Sequence, residues 1–139
     1  MIVLGNGVYT RIRAEGEAAY PHECCGFLLG IGEAAGRRAE MVLPVENHRE
    51  EAERYHRFII EPEDFLYAER LSARRGMDII GIYHSHPDCP AVPSDYDHEH
   101  ALPFYSYVIV AVEKGKAGSI RSWELSAVDR AFNEEKLCQ

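Results

Sequence analysis

Residues 83–97 read Tyr-His-Ser-His-Pro-Asp-Cys-Pro-Ala-Val-Pro-Ser-Asp-Tyr-Asp, a segment that begins with two histidines one residue apart, His84 and His86. An apolar run over residues 77–83 leads into it and predicts a buried strand. Because successive strand side chains point to opposite faces, His84 and His86 emerge on the same face at the end of that strand. Two imidazoles placed side by side in this way can bind one metal ion.

The second half of the stretch predicts that the chain returns toward the histidines. Pro87, Pro90 and Pro93 exclude a helix and favour a stiff, extended loop. The segment Ser94-Asp-Tyr-Asp97 then has the form of a helix start, in which Ser94 caps free backbone N–H groups and Asp97 lies in the first turn. Imidazole and carboxylate are ligands of catalytic zinc, which keeps an open position for water. The alternative is that the histidines only end a strand and hydrogen-bond locally.

Length and composition limit the class of protein. The chain has 139 residues, the size of one domain, so we expect residues 1–139 to form a single domain. The net charge of −8 argues against nucleic-acid binding. Four cysteines without a Cys-x-x-Cys pair indicate reduced thiols rather than a structural zinc site. No apolar run approaches membrane-spanning length and no signal peptide is recognisable, so we expect a soluble cytoplasmic protein that does not contact a membrane.

The rest of the pattern alternates helices and strands and predicts an α/β fold. Pro62, with acidic residues around it, indicates the start of a helix, whereas Gly16 weakens the first predicted helix. Residues 46–56 are highly charged and predict an exposed loop or a short helix, and residues 128–139 predict either a last edge strand or a frayed end. The predicted strands cover residues 1–4, 24–31, 38–45, 57–60, 77–83, 105–112 and 119–126, and the predicted helices cover residues 8–20, 61–75 and 94–101.

The spacing of the central motif resembles that of the JAMM (MPN-plus) metallopeptidases. It consists of His84-x-His86, seven residues, Ser94, two residues and Asp97, with Glu23 upstream before a hydrophobic strand. The segment Pro21–Gly30 is similar to the small, single-domain prokaryotic members, among which are enzymes that process sulfur-carrier proteins. The resemblance implies an MPN/JAMM-like (cytidine-deaminase-like) domain with a mixed β-sheet flanked by helices.

The resemblance also implies the roles of individual residues. His84, His86 and Asp97 would bind one Zn²⁺ per chain, and Glu23 would be the general base on a zinc-bound water. The Ser94 hydroxyl would help to stabilise the oxyanion. Without the resemblance, Glu23 is only an exposed acid that follows a proline, and Ser94 is only an N-cap; the two roles of Ser94 are compatible.

The substrate that the resemblance implies is an amide or isopeptide bond at the C-terminus of a ubiquitin-like, sulfur-carrier protein. The tail would end in Gly-Gly, because a narrow groove over a metal admits only residues without side chains. Three alternatives stay open: a peptidase of the same mechanism on unrelated peptides such as cell-wall fragments, a non-catalytic MPN scaffold, and a DNA-associated relative. The complete motif argues against the scaffold, and the acidic charge argues against DNA. The sequence does not indicate the oligomeric state.

Three features carry no firm role. Cys89 is a loop side chain without a function, a thiol near the substrate, or an adventitious ligand. Residues 48–57 are a solvated surface or a flap over the incoming peptide, which in this family lies beside the metal as an added strand. His98-x-His100 repeats the spacing of the metal motif but falls in a predicted helix, where residues two apart point in nearly opposite directions, so we discount it.

Overall fold

A computed structural model describes residues 1–5, 7–47 and 58–139 of the chain. Within these ranges it contains eight strands and three helices. The strands are β1 (Ile2–Leu4), β2 (Cys25–Glu33), β3 (Gly36–Val45), β4 (Asp78–Pro87), β5 (Ser106–Glu113), β6 (Lys116–Leu125), β7 (Phe132–Glu135) and β8 (Leu137–Cys138). The helices are α1 (Val8–Ala19), α2 (Pro62–Arg74) and α3 (Asp95–His100).

The strands form one mixed sheet in the order β7-β6-β5-β4-β2-β3-β1-β8. Near its middle, β4 is antiparallel to β2 and parallel to β5. The parallel pairing arises because the chain between β4 and β5 crosses over through α3 instead of turning back in a hairpin. The predicted α/β fold with a mixed sheet and flanking helices is therefore confirmed.

Helices cover both faces of the sheet. Val8 and Ile12 of α1 belong to one core cluster with Leu28, Val108 and Val110. Ala68 of α2 belongs to a second cluster, which contains Phe27, Leu29, Ile82 and Tyr107. The sheet residues of the two clusters alternate along each strand, so α1 and α2 lie on opposite faces. By the same alternation, His84 and His86 share the face of Ile82, next to α2, and Ser85 faces α1.

Gly16, which weakens the prediction of α1, has a packing role. A Cβ atom at this position would lie 3.0 Å from a methyl group of Val112 and 3.2 Å from one of Val110. The absence of a side chain therefore lets α1 approach β5 closely, and burial of the apolar face of the helix compensates for the low helix propensity of glycine.

One predicted strand is wrong, and another is longer than predicted. Residues 58–60 have no regular secondary structure, and residue 57 lies outside the described part. The side chains of Phe58 and Ile60 pack against the second core cluster. The backbone of this run bonds to side chains instead of a strand: the Ile59 N–H donates to Asn47 Oδ1 at 3.3 Å, and the Phe58 carbonyl accepts from the Tyr96 hydroxyl at 2.8 Å. In β4 the strand continues to Pro87, so both histidines lie within it. Residues 48–56 of the predicted charged loop also lie outside the described ranges.

The C-terminal residues form two edge strands rather than a frayed end. β7 pairs with β6, β8 pairs with β1, and Lys136 alone separates them. The Ile2 N–H donates to the Lys136 carbonyl at 2.9 Å, so the two edges of the sheet meet there. Buried Arg37 of β3 reaches across the enclosed interior to the Ser106 hydroxyl at 2.9 Å and the Glu124 carboxylate at 3.0 Å.

Candidate metal centre

His84 and His86 lie side by side on the face of β4 that α2 covers. Their ring centroids are 4.9 Å apart, and the residues are 1% and 7% exposed. Asp97, in the first turn of α3, approaches both rings: Oδ1 lies 3.4 Å from Nε2 of His84, and Oδ2 lies 3.1 Å from Nε2 of His86. The predicted return of the chain thus brings the three side chains together.

The start of α3 holds the Asp97 carboxylate in place. The Asp97 N–H donates to Ser94 Oγ at 3.1 Å, and the Ser94 N–H donates to Asp97 Oδ2 at 2.9 Å. This reciprocal capping box satisfies two backbone donors at the helix start and leaves Oδ1 directed at His84. The predicted N-cap role of Ser94 is confirmed.

Glu23 joins the cluster from the segment that precedes β2. Its Oε1 lies 3.5 Å from Nδ1 of His84, and the residue is 4% exposed. One ligand atom each from Glu23, His84 and His86 lie within 4.8 Å of one another. The expectation of an exposed acid at this position, which the sequence favours without the family resemblance, is therefore wrong.

The ring nitrogens of His84 face two carboxylates without making a hydrogen bond to either, which supports a metal ion as their partner. Both nitrogens are buried and have no hydrogen-bond partner among the described residues. Buried polar atoms are normally paired, because an unpaired one loses its hydration without compensation. At His86, Nδ1 lies 2.8 Å from the Pro90 carbonyl and donates to it, so Nε2 is the ring nitrogen that faces Asp97 and the cluster. Two imidazoles and two carboxylates form a donor set suited to a divalent metal ion.

Charge interactions agree with this arrangement. Burial lowers the pKa of His84, but the Asp97 and Glu23 carboxylates outweigh it and raise the pKa overall. Burial raises the pKa of Asp97, but His84, His86 and the Ser94 N–H together hold it well below its usual range. Asp97 is therefore ionised at neutral pH and attracts positive charge to the cluster.

Two pockets flank the cluster. The first has a volume of about 150 Å³ and reaches His84 and Asp97; its other lining residues are mostly apolar or aromatic, namely Phe58, Ile59, Ile60, Phe65, Ile82, Tyr96, His100, Leu102 and Tyr107. The second, of about 320 Å³, contains Glu23 and His86 together with the proline loop, whose lining residues are Pro87, Cys89, Pro90, Val92, Pro93 and Ser94. A peptide that crossed the cluster would therefore have a depression on each side.

Several other polar residues have partners outside the cluster. The ring nitrogen Nδ1 of His100 lies 2.9 Å from the Tyr96 carbonyl, and the ring of His98 contacts the Arg130 carbonyl.

Cys89 is exposed at the second pocket, and all four cysteines, each in the described part of the chain, are free. No helix in the described ranges is long and apolar enough to cross a membrane.

Sequence reasoning missed three residues that contact the cluster or its backbone. The Phe58 ring packs against the His84 ring in a tilted arrangement, with ring centroids 4.6 Å apart. Asn47 donates to the Glu23 carbonyl at 3.3 Å, and the Ser85 hydroxyl accepts from the Cys24 N–H at 2.9 Å. The position of Ser85 between the two histidines could have directed attention to it, although strand alternation places it on the opposite face of the sheet. No pattern in the sequence points to Asn47.

The comparison with known families agrees with this geometry. A family described as prokaryotic homologs of the JAB domain matches residues 5–126, which include every residue of the cluster. The chain belongs to this family.

Three curated proteins are similar to this JAB-domain chain. The desampylase of Pyrococcus furiosus is 31% identical over 115 residues, which cover 83% of the chain and 74% of that protein. A probable TtuB-protein conjugate cleaving protease of Thermus thermophilus is 37% identical over 63% of the chain and 59% of its own length. The tail tip assembly protein K of Escherichia phage N15 is 32% identical over 87% of the chain but only 46% of its own length.

Solved structures support the JAB fold. A solution structure of a protein from Desulfitobacterium hafniense has a TM-score of 0.84 and 29% identity, and the match covers 99% of the chain and 91% of that protein. A structure titled as a JAMM metalloprotease-like zinc site in the proteasome and signalosome has a TM-score of 0.56 at 18% identity and covers 99% of the chain and 95% of its own. At that identity the second likeness concerns the fold alone.

Proposed function

We propose that this JAB-domain protein is a zinc-dependent peptidase and isopeptidase. Its substrate would be an amide bond at the C-terminus of a ubiquitin-like, sulfur-carrier protein, and it would act as a single domain of residues 1–139 in the cytoplasm. The observation that carries the proposal is the buried cluster of Glu23, His84, His86 and Asp97, with two unpaired imidazole nitrogens and a pocket on either side. The desampylase and the conjugate-cleaving protease among its relatives support the substrate class.

His84, His86 and Asp97 would hold one Zn²⁺ per chain, and Glu23 would remain free for proton transfer. The family resemblance implies this division, and one observation supports it: Asp97 lies near both imidazoles, whereas the charge contact of Glu23 is with His84. The ligand atoms of Glu23, His84 and His86 also lie within 4.8 Å of one another, so Glu23 is close enough to act on a water held at the metal. When bound, zinc supplies a Lewis acid and lowers the pKa of a coordinated water to about 7. Three protein ligands are the usual number in catalytic zinc sites.

Glu23 and Ser94 would carry the remaining chemistry. As general base, the Glu23 carboxylate would take the proton of the attacking water and pass it to the leaving nitrogen. Since Glu23 lines the second pocket, the leaving group would depart on that side. The Ser94 oxygen accepts a bond from the Asp97 N–H, so its own proton is free to donate to the oxyanion that forms on the attacked carbonyl.

A Gly-Gly tail is the expected substrate terminus, because a narrow groove over a metal would admit only residues without side chains. A second candidate is a peptidase of the same mechanism on an unrelated peptide, since one relative is named a tail tip assembly protein and not a conjugate-cleaving enzyme. A non-catalytic scaffold is the weakest alternative, since it would have no use for two buried, unpaired imidazole nitrogens.

The test measures zinc content and hydrolysis on the same samples. Sulfur-carrier proteins extended by one residue after Gly-Gly are incubated with the protein, and mass spectrometry follows the loss of that residue. We expect one zinc per chain and cleavage by the wild type. Glu23→Gln should keep the zinc and lose at least about 100-fold in rate, and Asp97→Asn should lose the zinc.

Other outcomes would contradict parts of the proposal. Zinc without cleavage of any carrier would reject the substrate class and favour an unrelated peptide. No zinc after reconstitution would reject the metal centre and favour the scaffold. Wild-type activity in Glu23→Gln would reject Glu23 as the base.

A further inference from the structure

The backbone around Glu23 lies outside the regular hydrogen bonding of the sheet. β2 begins at Cys25, which pairs with His84, so the residue two positions before it is not held by strand register. Glu23 is nevertheless 4% exposed and directed at the His84 ring. Other groups must therefore fix this part of the chain.

Two side chains hold the single peptide group that joins Glu23 to Cys24. Its carbonyl oxygen accepts from Asn47 Nδ2 at 3.3 Å, and its N–H donates to Ser85 Oγ at 2.9 Å. The Ser85 N–H also donates to the Cys24 carbonyl at 3.1 Å. Both polar atoms of this peptide group are thus hydrogen-bonded to side chains. These two bonds fix the orientation of the peptide group and, with it, the direction in which the Glu23 side chain leaves the backbone.

Ser85 is well placed to be a rigid support. It lies between His84 and His86 on β4 but points to the opposite face, where it is fully buried against α1 next to Gly16. Its hydroxyl therefore connects the strand that carries the histidines with the segment that carries the acid. A shift of one relative to the other would break this bond.

Asn47 connects the same peptide group to the wall of the first pocket. Its Oδ1 accepts from the Ile59 N–H at 3.3 Å, and Ile59 lines that pocket together with His84 and Asp97. The partners define the orientation of the amide, because only Nδ2 can donate to a carbonyl and only Oδ1 can accept from an N–H. A peptide lying against residues 58–60 would thus press on a segment that is hydrogen-bonded, through one side chain, to the backbone of Glu23.

We infer that Asn47 and Ser85 are positioning residues for Glu23, and that Asn47 links the base to the substrate-side wall of the apolar pocket. This inference rests on the proposed function, in which Glu23 transfers the proton. Neither side chain belongs to the cluster. Each acts by holding the Glu23–Cys24 peptide group so that the carboxylate meets the attacking water in the productive geometry, which proton transfer requires.

The test compares Asn47→Ala and Ser85→Ala with Ser122→Ala. Ser122 of β6 is a matched control, since it is a fully buried serine whose hydroxyl donates to Glu135 of β7 and not to a residue of the cluster. Zinc content and thermal unfolding are measured first, and then kcat and KM on the extended carrier. We expect kcat to fall about 10- to 100-fold in both site variants, with one zinc per chain retained and with kcat of Ser122→Ala unchanged.

A double-mutant cycle separates positioning from a general structural effect. In the Glu23→Gln background, either site substitution should reduce the residual rate by less than about twofold, because its partner in catalysis is already absent. An undiminished 10- to 100-fold loss in that background would overturn the inference. So would wild-type kcat in the single variants, or loss of zinc together with activity.

Amide hydrogen exchange tests the two supports without relying on cleavage of the proposed substrate. The Cys24 N–H should exchange at least about 10-fold faster in Ser85→Ala, and the Ile59 N–H at least about 10-fold faster in Asn47→Ala, since each loses its acceptor. If the wild type cleaves no carrier, the substrate proposal fails and the exchange rates still test the two supports. Unchanged exchange at both amides would overturn the inference.

Discussion

At the scale of single residues, Ser94 combines a structural and a proposed chemical role in one side chain. Its Oγ caps the Asp97 N–H, and its proton is free to face the second pocket, which it lines. An amide side chain can also cap a helix, but its nitrogen does not reproduce the geometry of a hydroxyl. Substitutions at this position can therefore separate the two roles.

We predict that Ser94→Asn keeps the fold and the zinc but loses activity. Ser94→Ala should lose activity and, in addition, about 1 kcal/mol of unfolding free energy with the cap. Ser94→Thr should keep both. Urea unfolding and carrier cleavage measured on the three variants provide the test, and the exposed neighbour Asp95→Ala is the control. Full activity in Ser94→Asn would show that the residue is only an N-cap.

At the scale of secondary structure, the start of α2 positions the wall of the first pocket. The Glu61 N–H donates to Asp64 Oδ2 at 2.8 Å, and Phe65 follows directly in the pocket lining. Glu63 lies in the same first turn and is exposed. Both acids therefore interact favourably with the helix dipole, but only the Asp64 side chain accepts a hydrogen bond from the backbone N–H of the N-cap residue Glu61.

We predict that Asp64→Ala lowers the unfolding free energy by about 1 kcal/mol, and Glu63→Ala by only a few tenths. Asp64→Ala should also raise KM for the carrier, because the loosened turn carries Phe65. Chemical denaturation and steady-state kinetics of both variants test this. Equal losses in the two variants would mean that the dipole, and not the cap, stabilises the turn.

The elements that could be predicted from sequence are those whose signals are local. Proline and the acidic residues mark the start of α2, and strand alternation places His84 and His86 on one face. The apolar run at residues 58–60 gave a wrong strand prediction, because an apolar pattern indicates burial but not where the backbone hydrogen bonds go. Here the backbone bonds to the side chains of Asn47 and Tyr96 instead of a neighbouring strand. The place of Glu23 likewise depends on partners distant in sequence, and only the family resemblance indicated it.

At the scale of the whole molecule, the sheet encloses a cluster of three ionisable side chains that no local sequence pattern predicts. Arg37 of β3 meets Glu124 of β6 and Glu135 of β7, although β3 is separated from these two neighbouring strands in the sheet order. The residues meet because the edges of the sheet converge at Lys136. The side chains of Arg37 and Glu135 are each 4% exposed. Removing Arg37 would take the cationic partner from Glu124 and from the buried Glu135, so this arginine is part of what closes the sheet.

The carboxyl of Glu135 makes stability depend on pH. Burial and the neighbouring Glu124 raise its pKa to about 7, while the hydrogen bond from Ser106 acts in the opposite direction. The unfolded chain loses this proton near pH 4.5, so between about pH 4.5 and 7 the folded protein holds a proton that the unfolded chain has released. Raising the pH through this window therefore favours unfolding.

We predict that the unfolding free energy of the wild type falls by on the order of 1 kcal/mol from pH 5 to pH 7.5, because the unfolded chain has already released the Glu135 proton that the folded protein still holds. The lowered pKa of Glu124 acts below this pH range and leaves the slope within it almost unchanged. Glu135→Gln cannot ionise, so its unfolding free energy should vary less over the same range and exceed that of the wild type at pH 7.5. Urea unfolding at a series of pH values measures both. Glu134→Gln, which removes an exposed carboxylate from the same strand, is the control and should keep the wild-type slope. A slope for Glu135→Gln as steep as that of the control would show that Glu135 is ionised in the folded protein throughout, and that Arg37 compensates its charge completely.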